Sequence, residues 1–258
     1  MSEPFSQQHC FVHYASHEWL GHALAASQMF SNGFEMTTED LSRLPTLRDR
    51  WVLGAAEQGQ KGVLQMLLES GADPEPKDCV CRTPLSLAAE QGHATVVKLL
   101  LSQEGVTLDS RDDWAQTPLS WAARQGNEAI VKLLLSQDGV TADSMDTWNQ
   151  TPLSWAARYG CEAVVKLLLS RKDVAADSRD RLGRTPLSWA AENGHELVVK
   201  LFLNCMDLST DLVDLWGETP LSWAASQGHE SIVKLLLGTK PMPTRSGYFN
   251  KPSCKAFE

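Results

Sequence analysis

No stretch of this chain approaches the ~20 consecutive apolar residues needed to span a bilayer. Its first residues, MSEPFSQQHC, lack the basic start and apolar core of a secretory signal. Neither a membrane nor export is therefore expected, and the expected location is intracellular, in cytoplasm or nucleus. Basic charge is also short: 23 Lys and Arg against 32 Asp and Glu leave a net charge of −9. That balance opposes the attraction to phosphates behind most non-specific nucleic-acid affinity, so nucleic acid is not an expected direct partner. The catalytic signatures are missing too. There is no GxxxxGK[ST] phosphate loop, no GxSxG elbow, and HEWLGH is no HExxH zinc motif, because its second histidine falls at His22 with Gly21 in the ligand position. No enzyme activity and no cofactor are expected. Six cysteines (Cys10, Cys79, Cys81, Cys161, Cys205, Cys254) are scattered with no secretory context, and they read as reduced thiols rather than a disulfide framework.

What the chain does have is a repeat, and in 258 residues with 43% apolar content there is enough of it to bury a core. Thr-Pro-Leu begins at Thr83, Thr117, Thr151, Thr185 and Thr219, each time leading into a close variant of TPLSWAARQGNEAIVKLLL. A further unit precedes them, with Ala55 and Ala56 in register with Ala88 and Ala89 but Arg50 and Trp51 in place of Thr-Pro. Threonine is a good N-cap and proline suits the first helical position, so a helix starts at each Thr-Pro. Paired alanines allow close packing, and the glycines that follow suit the left-handed helix end. The second helix of each unit, such as Ala129 to Ser136, is apolar nearly all round and must lie between neighbours. A polar connection follows, with an aspartate (Asp78, Asp112, Asp146, Asp180, Asp214) five residues before each threonine, where its side chain can bond its own turn.

On these motifs residues 45–237 resemble the ankyrin-repeat family, in particular fungal arrays with TPLSWAA repeats. The resemblance implies an all-α solenoid of six helix-turn-helix repeats, starting near 45, 78, 112, 146, 180 and 214, with β-hairpin-like fingers. Two departures stand out. The family's usual His after Thr-Pro-Leu is Ser86, Ser120, Ser154, Ser188 and Ser222, and its usual turn glycine survives only as Gly183 and Gly217, with Cys81, Ala115 and Asn149 elsewhere.

The ends read differently. Residues 1–44 are expected to supply a helical cap, since residues 9–30 carry Phe11, Tyr14, Ala15, Trp19 and Leu20 at helical spacing. The same segment resembles the stretch that follows the nucleotide-binding NACHT module in fungal ankyrin proteins, which implies a relative that has lost the motor. His9, His13 and His17 share a helical face beside Cys10, but they supply no convincing tetrahedral metal set, so no metal is expected. Residues 238–258, with three prolines and four basic residues, read as a disordered tail. The last apolar helix before it lacks the polar outer face that normally ends a solenoid, so something is expected to cover it.

Two tryptophan ladders remain. Trp121, Trp155, Trp189 and Trp223, with Leu87, follow Thr-Pro-Leu-Ser and are expected to pack between first helices. Trp114, Trp148 and Trp216, with Val80 and Leu182, fall at finger tips and are expected to be exposed. In the ankyrin family the fingers and first-helix ends line a concave binding face. The resemblance therefore implies a partner-binding surface of Trp114, Trp148, Leu182 and Trp216 with Arg82, Gln116, Gln150, Arg184 and Glu218 on the fingers. Arg124, Gln125, Arg158, Tyr159, Glu192 and Asn193 follow at the helix ends. The expected function is a non-enzymatic adaptor for another protein. A nuclear co-regulator using the same face is the alternative, although no strong basic import cluster is present, and a remnant of a NACHT-ankyrin signalling protein is a further one.

Overall fold

The computed structural model describes residues 45–205 and 208–238. The expected cap at 1–44 with its histidines, and residues 239–258 of the expected tail, lie outside the described residues. Within them the chain forms helix pairs: α1 (Pro45–Glu57) with α2 (Lys61–Glu69), α3 (Pro84–Gln91) with α4 (Ala94–Leu101), and α5 (Pro118–Arg124) with α6 (Glu128–Leu135). These are followed by α7 (Pro152–Arg158) with α8 (Glu162–Leu169), α9 (Pro186–Glu192) with α10 (Glu196–Leu203), and α11 (Pro220–Ser226) with α12 (Glu230–Gly238). Each first helix packs on the first helices of adjacent pairs, and each second helix on the second, so the pairs stack in one direction as a solenoid.

The starts are set by the residues read in the sequence. Thr117 and its equivalents adopt extended backbone and accept the N–H of the serine three residues on, with proline at the first helical position. The serine that stands where the family has histidine serves this cap: Ser120 Oγ lies 3.1 Å from Thr117 Oγ1. At Thr185 and Thr219 the serine also accepts the threonine's own N–H, completing a reciprocal cap. Where Thr-Pro is missing, no cap stops the helix from extending backward, and α1 runs 13 residues from Pro45.

Ile130, Val131 and Leu134 of α6, with their counterparts in the other second helices and the alanine pairs, make one continuous apolar core. Removing one such leucine should cost ~2 to 5 kcal/mol. Polar ladders tie successive pairs together. One side chain at the start of each second helix after α2 reaches the carbonyls ending the previous first helix. His93 Nε2 is 2.9 Å from Glu57 O, Asn127 Nδ2 donates to Ala89 O at 2.9 Å, and His195 and His229 repeat the contact. Cys161 occupies the same place with a weaker S–H donor, 3.7 Å from Arg124 O. A second ladder joins Thr83, Thr117 and Thr151 to Ser110, Ser144 and Ser178, each two residues before the aspartate of the following finger.

The fingers differ in form from the expected hairpins. Among the described residues no strand is present; each finger is a tight turn closed on its aspartate. Asp112 Oδ1 accepts the N–H groups of Trp114 and Gln116, at 3.0 and 2.8 Å. Asp112 N in turn donates to Gln116 O. Two residues that fit the turn poorly in sequence do take the left-handed conformation, Cys81 at φ 63° and Ala115 at φ 57°.

Candidate functional site

The finger turns and the C-terminal ends of the first helices form one surface running the length of the array. Its backbone is cross-linked. Asp113 N donates to Val80 O, Thr147 N to Trp114 O, Arg181 N to Trp148 O and Leu215 N to Leu182 O, one bond between each finger tip and the next. The tips are thereby held in register, so what their side chains present is fixed by the fold rather than by loop motion.

Of the residues expected at the tips, Trp114, Trp148 and Leu182 are exposed, and Trp216 is the most exposed at 59%. Val80, at the same position in its repeat, is buried. Tyr159 is exposed and stacks on Trp155 with ring centroids 6.0 Å apart. Gln125, Asn193 and Glu218 also face solvent, and Arg82, Arg124, Arg158 and Glu192 are half-buried.

Three expected face residues are placed otherwise. Gln116, Gln150 and Arg184 are 3%, 4% and 7% exposed, so they belong to the stack beneath the surface. The cause is the next repeat: its finger closes over each side chain, and Gln116 Nε2 and Arg184 Nε point at the following aspartates, Asp146 and Asp214, at 3.5 and 3.7 Å. Arg184 Nη1 also binds Glu192 Oε2 at 2.6 Å. Arg82 holds Asp78 and Glu90 in the same way, at 2.8 and 3.0 Å. Burial raises the Glu90 carboxyl above its ordinary value, against the opposing pull of Arg82 and, beyond it, Arg124.

Of the tryptophans that follow Thr-Pro-Leu-Ser, Trp121, Trp155 and Trp189 are buried and Trp223 is half-buried, and all four stand beside the main apolar core rather than in it. Each indole instead donates to the aspartate of its own finger. Trp121, Trp155, Trp189 and Trp223 bond Asp112, Asp146, Asp180 and Asp214 at 2.9–3.0 Å. Where Leu87 replaces tryptophan, Arg82 Nε supplies the missing donor to Asp78. Between the rings lie guanidinium groups. Arg124 sits 5.4 Å from the Trp121 centroid and 5.0 Å from that of Trp155. Arg158 sits between Trp155 and Trp189, at 5.6 and 4.3 Å. Arg184 continues the series to Trp223 at 3.9 Å. The outcome is a continuous alternation of arginine and tryptophan under the finger tips, each contact a cation–π pair. Sequence reasoning had separated the two tryptophan ladders, yet Trp216 meets Trp223 edge to face at 6.4 Å. The signal for the aspartate bonds was present as a constant spacing of nine residues between finger aspartate and tryptophan in four units.

Among the described residues, no helix is long and apolar enough to cross a membrane.

Comparison with known proteins agrees with the architecture. The family model described as ankyrin repeats matches residues 52–146, 85–177, 138–210 and 153–245 in overlapping sets. An ankyrin repeat protein of fowlpox virus (strain NVSL), FPV244, is 46% identical over 46 residues. That match covers 18% of this chain and 7% of the viral protein's length.

Proposed function

This chain belongs to the ankyrin-repeat family, and from that premise we propose that it is a non-enzymatic adaptor holding another protein against the surface of its fingers and first-helix ends, the concave face of the family. One observation carries the reading: Trp114, Trp148, Leu182 and Trp216 are exposed together, one per finger, on tips joined by backbone hydrogen bonds. Large apolar side chains lined up on a rigid surface are unfavourable in water and are the residue types on which interface energy concentrates. The mechanism is surface complementarity, with the ordering cost reduced because the tips are already fixed.

The experiment is affinity capture from the native cell, wild type beside a Trp114→Ala/Trp148→Ala/Trp216→Ala variant of matched folding. Each tip that is a hot spot contributes ~2 kcal/mol or more, so the triple variant should lose the specific partner altogether. Capture of the same proteins in the same amounts by both would reject the proposal.

A further inference from the structure

We propose that the middle of this surface is built for an acidic peptide segment of the partner, its carboxylates held by Arg124 and Arg158. The inference rests on the adaptor reading and specifies the chemistry of what is bound.

The argument begins with how charge alternates between repeats. In the units of α3 and α9 the finger carries arginine and the helix end carries glutamate, and the two meet: Arg82 with Glu90 at 3.0 Å and Arg184 with Glu192 at 2.6 Å. In the two units between them the pattern is inverted. The finger carries uncharged Gln116 or Gln150 and the helix end carries Arg124 or Arg158. The units of α3 and α9 therefore neutralise themselves, while among the described residues no carboxylate forms an ion pair with the cations of the two central ones. Among the described residues neither guanidinium has a hydrogen bond or ion pair with a carboxylate, whereas Glu90, which feels Arg124 at longer range, has its carboxylate bound to Arg82. Asp112 and Asp146 are buried and occupied by their own turn N–H groups and by Trp121 and Trp155.

The aromatic rings hold these cations in place. Arg124 is flanked by Trp121, Trp155 and Tyr159, the last at 5.3 Å, and Arg158 by Trp155 and Trp189. Stacking engages the faces of a guanidinium and leaves its N–H edge free for a planar, two-point carboxylate contact. Such contact is stronger for a group already desolvated and fixed than for a free surface arginine. Both guanidinium carbons stand near the Trp155 centroid, at 5.0 and 5.6 Å, so their separation is at most those two distances combined. An extended peptide advances ~3.3 Å per residue and turns every second side chain to the same face, so two carboxylates two residues apart fall within that limit.

Other occupants fit less well. The residues after α12 include Lys240, Arg245, Lys251 and Lys255, which the central arginines repel. Nucleic acid is opposed by the net charge of −9, which works against the phosphate attraction behind most of its affinity. The exposed Trp148 and Tyr159 beside the arginines instead suit apolar side chains next to the acids in a peptide.

The test is selection of a random dodecapeptide display library on the full chain, with the winners resynthesised and titrated against variants. Selected peptides should share paired Asp or Glu beside an aromatic or aliphatic residue, and binding should weaken sharply from about 50 to about 300 mM salt. Arg124→Gln and Arg158→Gln, assayed well below their melting transitions, should each weaken binding about tenfold or more, and Arg→Lys should restore only part of it. Because the arginines also pack on the rings, a charge swap guards against misfolding: Arg158→Glu should shift preference to peptides whose acids are replaced by lysine. Peptides that depend on Trp148 and Trp216 but show no acidic bias and ignore both arginine variants would overturn this inference while leaving the adaptor reading intact. Peptides indifferent to the tryptophans and to the arginines alike would overturn both.

Discussion

The indole of Trp155 donates to the Oδ2 of Asp146 at 2.9 Å, which makes each finger and the first helix beneath it a single unit. Asp146 Oδ1 meanwhile accepts the N–H groups of Trp148 and Gln150, both at 2.8 Å, so one carboxylate shapes the turn with one oxygen and anchors it with the other. The exposed tip residue Trp148 is thus positioned by a bond made seven residues later in the chain.

The two tryptophans should therefore respond differently to truncation. Trp155 is buried, 6% exposed, between Arg124 and Arg158, and Trp155→Ala should cost ~3 to 5 kcal/mol. Trp155→Phe keeps much of the ring but takes the indole donor from the acceptor oxygen Oδ2 of Asp146, for ~1 to 3 kcal/mol. Trp148→Ala, at 45% exposure, should cost under ~1 kcal/mol of stability and appear in partner affinity instead. Denaturant melts of the three variants test this, and the reverse order of losses would show that the tips, not the buried ladder, hold the fingers.

The finger aspartates should titrate apart. For Asp112 burial dominates and raises the carboxyl, only partly opposed by the N–H groups of Gln116, Trp121 and Trp114. For Asp214 burial also raises, but the bonds from Glu218, Trp223 and Trp216 together with Arg184 outweigh it and the net direction is down. The difference fits their places, since among the described residues no further repeat stacks on Asp214. Asp112 thus contributes stability fully present below the unfolded-state value of ~3.9 and lost as pH rises through its own higher one. Asp214 contributes stability present above that value and lost as pH falls through its own lower one. Carboxyl-carbon NMR titration should place the Asp112 midpoint above that of Asp214; coincident midpoints would contradict the account.

Much of this architecture was legible because its signals are local. Thr-Pro fixes a helix start from two adjacent residues, and an apolar run such as IVKLLL announces a helix with neighbours on both sides. What escaped was set by the next repeat. Gln116 and Arg184 read as surface residues on their own fingers, and only the following finger, some thirty residues on, closes over them. The indole bonds escaped for a related reason: Trp121 reads as apolar filling until the turn brings Asp112 back over its N–H edge. The serines that depart from the family pattern are visible in sequence as departures, but their use in the threonine caps depends on the geometry of the first turn.

Ala115 offers a way to stabilise the array without touching its surface. It holds φ at 57°, where an L-residue other than glycine or asparagine is strained by ~1 to 2 kcal/mol. Ala115→Gly removes that strain, while the extra freedom of glycine in the unfolded chain returns ~0.5 to 1 kcal/mol, for a net gain of ~0.5 to 1. Asn149→Gly, from φ 58° but with a residue that tolerates the conformation, should gain less. Midpoints of urea unfolding at unchanged slope test the pair, and a loss at Ala115→Gly would mean that the methyl group makes a contact worth more than the strain.

Gly194 and Gly217 form a matched pair for separating backbone strain from side-chain collision, since both sit at φ 78°. An alanine at either site incurs the same left-handed cost, ~1 to 2 kcal/mol. At Gly217 the added methyl meets nothing within 4 Å, whereas at Gly194 it would lie 2.7 Å from His229 Cε1. The imidazole must then move, and moving it breaks the contact that His229 Nε2 makes with Glu192 O at 3.0 Å, a link between the last two repeats. Gly194→Ala should accordingly lose ~1 kcal/mol or more beyond Gly217→Ala. In a His229→Ala background the collision is absent, so the Gly194→Ala penalty should fall toward that of Gly217→Ala, a non-additivity measurable by a double-mutant cycle. Equal losses at the two glycines in the wild-type background would show that the conformation alone, and not the approach of the next repeat, requires glycine at the end of α9.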